Sequence, residues 1–259
     1  MITVNFTGSV SETQRRAFEQ AASRWDRIID TSFAPVTVED QVLDGVMIDA
    51  SIEAIDGDQG ILGQAGPTIL RPGDELPIKG IMQFDLADIL RLERNNSLED
   101  VILHEMAHVL GFGTLWARMG FIIGSGGNNP QFIGTAATRE FRVLGGNRLG
   151  NVPVANTGSM GTREGHWREL VFGDELLTGF LSGSQRPISR MSIAAFEDMG
   201  YLVDYTEADD YTLPSFQQLA EKGIMEAVRT CDLCKMGRPK PVILRDRHNN
   251  LKKPVFLNS

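Results

Sequence analysis

A chain of 259 residues, 42% hydrophobic and 23% charged, has ordinary globular composition, which excludes wholesale disorder and fibrous repeats. Two cysteines, Cys231 and Cys234, are too few for a disulfide-scaffolded mini-fold. The net charge of −9 is uneven: residues 229–259 hold eight Lys or Arg against two Asp, a balance of +6, leaving −15 for the rest, and so acidic a body argues against nucleic acid as the main partner.

In chain order, the opening ten residues lack a basic region followed by an apolar run, so no signal peptide is expected in them. Residues 2–6 alternate apolar and polar side chains and predict a strand. Ser11, Glu12, Thr13 and Gln14 have capping-box form. Ala17, Phe18, Ala21, Ala22, Trp25, Ile28 and Ile29 follow at helical spacing, predicting an amphipathic helix over 12–29. Alternation over 46–55 predicts a second strand. Residues 56–80 carry Gly57, Gly60, Gly63, Gly66, Pro67, Pro72 and Gly73 and read as a loop, with a short third strand at 81–84. Asp85 and Asp88 read as solvated carboxylates rather than a calcium site.

The best-defined helix runs over 98–110, with Asn96 as its cap, Glu99 at the third helical position and Gly111 at the left-handed exit. Residues 113–161 are rich in Gly and Asn and poor in periodicity, predicting a long excursion with little regular structure. Its uncharged stretch, 119–138, contains Gly124, Gly126, Gly127, Asn128, Asn129 and Pro130 and predicts no membrane span. Further helices are predicted over 189–199, ending at Gly200, and over 214–229. The composition shifts near 205–214, the one plausible domain boundary.

The central helix carries His104, Glu105, Met106, Ala107 and His108. Four residues advance a helix by about 400°, so the two imidazoles share a face one turn apart and can reach one ion. Glu105 sits beside them, placed to take a proton from a metal-bound water. Val109, Leu110, Phe112 and Leu115 make this a core helix, and a buried polar pair there is costly without a partner. A catalytic zinc wants a third protein ligand and an open position. The remaining histidines are His166 and His248, and Glu140, Glu164 or Glu169 would serve as a carboxylate alternative. His248 stands among Arg247, Asn249 and Asn250, where a solvated imidazole is expected. Cys231 and Cys234 with His248 lack the fourth ligand of a zinc knuckle.

Residues 104–116 (HEMAHVLGFGTLW) resemble the active-site helix and glycine turn of the metzincin metallopeptidases. The third histidine of the common motif is replaced here by Thr114. In the leishmanolysin-like branch a long insertion precedes the third ligand, and Gly165, His166 and Trp167 resemble that ligand segment. Asp174 to Leu177 resembles the branch's Met-turn, with Leu177 where the family has methionine, and residues 193–201 resemble its final helix. The resemblance implies an α+β zincin catalytic domain over 1–205, with a long insertion at about 113–161. Residues 206–259 would form a C-terminal extension with a basic tail. It implies Zn²⁺ on His104, His108 and His166, Glu105 as general base, a protein or peptide substrate and an extracellular setting. Substrate is expected to lie extended beside the strand at 80–85, bonded through its backbone. The alternative is a catalytically silent binding or structural module of a larger assembly; an intact Glu105 counts against it.

Overall fold

A computed structural model of the chain describes residues 1–55, 57, 63–159, 161–180, 186–215, 218–219 and 239–244. Most of the predicted helix over 214–229 (216–217 and 220–229), and also His248, Cys231 and Cys234, lie outside the described residues. Two compact units emerge: one within Met1–Thr114 together with the tail residues 239–244, the other within Leu115–Lys235.

In the first unit β1 (Ile2–Phe6) leads into α1 (Glu12–Ile28), where Ser11 and Gln14 form the reciprocal capping box. A hairpin, β2 (Val36–Val38) and β3 (Gln41–Leu43), precedes the sheet strands β4 (Val46–Glu53), β5 (Gly63–Leu70) and β6 (Pro77–Asp85). Then come α2 (Leu86–Arg94) and α3 (Leu98–Val109). β1 pairs with β4 and β4 with β6 in parallel, whereas β5 is antiparallel to β6, so the sheet is mixed. Helix α1 packs on β1 and α3, its buried face carrying Phe18, Trp25 and Ile28. The Trp25 indole N–H donates to the Leu103 carbonyl at 2.9 Å, fastening α1 to α3.

Three expectations need correction here. Residues 56–80 are not one loop, because 63–70 form β5, a strand buried along its whole length. Its Gly66 and Pro67 are turn residues by composition, yet they sit where helix α3 crosses the sheet. A Cβ on Gly80, the partner of Pro67, would strike the Val109 side chain. Substrate cannot pair beside residues 80–85, because β6 has β4 on one side and β5 on the other. Nor are Asp85 and Asp88 solvated, each being only 1% exposed. Asp85 caps α2 through Ala87 at 2.8 Å and also accepts from the amides of Ile55 at 2.7 Å and Gly57 at 3.2 Å. Asp88 is paired with Arg91.

The second unit replaces the expected excursion with small, well-packed pieces. Strands β7 (Ile122–Ile123), β8 (Gln131–Phe132) and β9 (Val152–Pro153) make an antiparallel sheet. Helix α4 (Thr135–Val143) packs against α6 (Arg190–Met199), with the short α5 (Glu169–Phe172) between them in sequence. Asp198 on α6 caps α4, accepting from Ala136 and Ala137, each at 2.8 Å. Trp116, Phe132, Phe141, Trp167 and Phe172 are all fully buried and form an aromatic core. Burial of these rings, not backbone ladders, organises the segment.

Last among the described elements, β10 (Val242–Ile243) belongs to the first unit and pairs in parallel with Ile69 and Leu70 of β5. The sheet order is therefore β1-β4-β6-β5-β10. No helix among the described residues is long and apolar enough to cross a membrane.

Candidate metal centre

Helix α3 begins at Ser97, without a side-chain cap bond; Asn96, expected as the cap, instead takes a left-handed φ of 53° at the tight turn from α2. Its far end is strongly specified. Gly111 turns the chain at φ 106°, a conformation that costs a side-chain-bearing residue about 1–2 kcal/mol. The chain then folds under the helix, so that the Phe112 carbonyl meets Nδ1 of His108 at 2.9 Å. Thr114 donates its hydroxyl to the His108 carbonyl at 2.8 Å. The residue at the position of the missing motif histidine thus gives the His108 carbonyl a second donor, beside the Gly111 amide at 3.2 Å.

A carbonyl only accepts, so Nδ1 of His108 carries the proton and Nε2 keeps its lone pair in the neutral ring. That Nε2 faces Nε2 of His104 at 3.1 Å, and both imidazoles are 1% exposed. Such a pair is held either by one N–H···N hydrogen bond from His104 or by a cation shared between the two lone pairs. Nitrogens bound to one tetrahedral zinc stand about 3.4 Å apart, close to the spacing this helix presents. Glu105, also 1% exposed, follows His104 on the same helix.

His166 lies in an extended segment of the second unit. Its carbonyl accepts from Ala155 at 2.8 Å, and Trp167 next to it takes the Leu177 carbonyl at 3.0 Å. Arg168 spans the carbonyls of Val154 at 3.0 Å and Pro130 at 3.1 Å. The ring itself donates from Nδ1 to the Thr162 carbonyl at 2.9 Å and is fully buried. His166 therefore has the same tautomer as His108, fixed by a backbone acceptor as metal-binding imidazoles require. One ring nitrogen from each of His104, His108 and His166 lies within 4.8 Å of the other two. No other group of His, Cys, Asp and Glu so arranged stands among the described residues. Three neutral imidazoles are a donor set that suits zinc.

The carboxylate alternatives are engaged elsewhere. Glu140 binds Arg139 at 3.0 Å and Arg190 at 3.1 Å. Glu164 takes the Ser125 hydroxyl at 2.5 Å and the Gly126 amide at 2.7 Å. Glu169 opens α5 and joins no such group. Leu177 is fully buried, and two residues beyond it a Cβ on Gly179 would come within 3.8 Å of the His166 side chain.

Sequence reasoning gave Glu175 no role of its own. Its carboxylate is 1% exposed and accepts from Leu177 N–H at 2.6 Å, Ser189 N–H at 3.0 Å and the Ser189 hydroxyl at 2.8 Å, and it also binds the Ser192 hydroxyl. Burial pushes this carboxyl above the ordinary range, against the pull of those donors. The only signal in the sequence was an acidic residue ahead of Leu176 and Leu177, which by itself says nothing of burial.

Among protein families, the profile of peptidase M8, leishmanolysin, matches residues 52–220. That span contains α3, His166, Glu175 and α6. No curated protein matches the chain.

Proposed function

The chain belongs to the leishmanolysin family of metallopeptidases, and from that premise we propose that it is a zinc-dependent endopeptidase of metzincin type, with Glu105 as its general base. One observation carries the reading: three buried imidazoles offer nitrogens within 4.8 Å of one another, two of them on the helix that also bears Glu105. When bound, zinc supplies a Lewis acid that makes water acidic near pH 7 and polarises a carbonyl.

The rest of the chemistry falls to side chains of this protein. His104, His108 and His166 would hold the ion, with the Phe112 and Thr162 carbonyls fixing two of the rings as Nε2 donors. Glu105 takes the proton of the attacking water and later delivers it to the leaving amine. Its burial keeps that carboxylate in a medium where proton transfer is not screened by solvent. Leu177 supplies an apolar floor in place of the family's thioether.

Metal analysis of the purified protein, paired with digestion of an unfolded protein substrate with and without chelator, tests this. One zinc per chain and chelator-sensitive cleavage are expected. Stoichiometric zinc without cleavage would favour the silent binding module instead.

A further inference from the structure

The outer edge of β5 is held by the chain's own tail. β10 pairs with Ile69 and Leu70, and the Leu244 amide donates to the Leu70 carbonyl at 2.8 Å. Val242 and Leu244 pack on the apolar cluster of Val38, Ile69 and Ile78, beside the β2–β3 hairpin. Upstream, the ring of Pro239 lies 2.9 Å from where a Cβ on Gly66 would stand. The same point is 3.8 Å from the Thr114 methyl, and Thr114 bonds the His108 carbonyl. The tail proline thus fills the space a side chain at Gly66 would take, on the strand that helix α3 packs against.

Without β10, β5 would be the sheet's outermost strand on the side away from β4 and β6. A strand edge presents one row of N–H and C=O groups and pairs with one partner at a time. An extended peptide adding to this sheet by backbone pairing has β5 as the edge closest to helix α3, which packs on it. The tail and such a peptide compete for the same groups. Among the described tail residues two positions pair with β5, and Pro239, Val242 and Leu244 are set against the first unit, a short hold that a substrate can displace. The charge balance favours the docked state, since residues 229–259 carry +6 against −15 elsewhere.

We infer that residues 239–244 act as a built-in competitor, occupying the β5 edge in place of an extended peptide and lowering the enzyme's apparent affinity for substrate. This rests on the peptidase reading, because only then is the edge a substrate site. Apparent affinity falls by the fraction of molecules with the edge open, which places the effect in KM and leaves kcat alone.

Two full-length variants test it. Val242→Asp with Leu244→Asp removes the apolar anchors, and Leu244→Pro removes the amide that binds Leu70. Both changes lie outside the metal centre, so zinc content and far-ultraviolet circular dichroism should match wild type. Two readouts are needed: steady-state cleavage of a quenched fluorogenic peptide, and anisotropy of a fluorescein-labelled synthetic PKPVIL, the sequence of residues 239–244. The expected result is a KM lower by about threefold or more with kcat unchanged, and labelled PKPVIL binding the variants more tightly by a similar factor. Equal KM and equal PKPVIL affinity in wild type and both variants would overturn the inference. If neither protein cleaves but PKPVIL still discriminates between them, the tail competes for the edge as inferred and the peptidase reading falls instead.

Discussion

The indole N–H of Trp167 donates to the hydroxyl of Ser192 at 2.8 Å, and that hydroxyl in turn binds the buried carboxylate of Glu175. The residue next to His166, the turn at Leu177 and the start of α6 therefore converge on one acidic side chain. Glu175→Ala leaves the Leu177 and Ser189 amides buried without acceptors. Each such orphan costs about 1–3 kcal/mol, so a loss of about 3 kcal/mol in urea unfolding is expected. A loss under about 1 kcal/mol would show that other contacts hold the turn.

The same carboxyl makes stability depend on pH. Its folded value is raised by burial, so the native state holds this proton more tightly than the unfolded chain does. The resulting contribution is complete below the unfolded value and is lost as pH rises through the folded one. Glu175→Gln cannot ionise, so its unfolding midpoint should fall less than that of wild type as pH rises above the ordinary carboxyl range. Parallel pH profiles for the two proteins would contradict this.

His166→Ala is expected to weaken zinc binding by more than about 100-fold, beyond the loss seen when only a ligand's supporting partner is removed. Cleavage should vanish with it. His248→Ala should change neither property. Stoichiometric zinc in the His166 variant, measured by atomic absorption after dialysis, would remove this residue from the ligand set.

Glu105→Ala separates metal binding from catalysis. All three imidazoles remain, so zinc content should equal that of wild type while kcat drops by about 10²–10⁴-fold. A variant with near-normal turnover would mean that another group takes the proton.

Gly80→Ala should be costly for a reason confined to the sheet. Its Cβ would strike Val109 of α3 and come within 2.8 Å of the Gly66 carbonyl, so helix and strand must part. Overpacking of this kind costs about 1–3 kcal/mol, and because α3 carries two of the histidines, zinc affinity should fall as well. Thermal unfolding with and without added zinc measures both.

That crowding also explains which parts of the fold were legible in the sequence. β1 and α1 were readable because each buries one face and solvates the other, with Ser11 and Gln14 capping α1, whereas α6 is buried nearly all round and was marked by its ends, Ser189 and Gly200. β5 is buried throughout and has no alternation to detect. Its Gly66 and Pro67 answer to a crossing helix rather than to a turn. In the second unit, strands of two residues hold too little pattern to register, and rings distant in sequence, such as Phe132 and Trp167, supply the order. The paired histidines were visible because their spacing is a local property of one helix. The place of His166 came from family resemblance, since 58 residues separate it from His108 and no periodicity spans that interval.

The aromatic core also gives the molecule an optical signature. All three tryptophans are fully buried, and the rings of Trp116 and Trp167 lie 4.8 Å apart between centroids, inclined by 32°. Indoles this close share their excited states, so the second unit should carry a coupled near-ultraviolet dichroism band of its own. Trp25, fastened to α3 through the Leu103 carbonyl, belongs to the first unit. The band of the Trp116 and Trp167 pair therefore reports on the segment that bears His166, with no label attached to it.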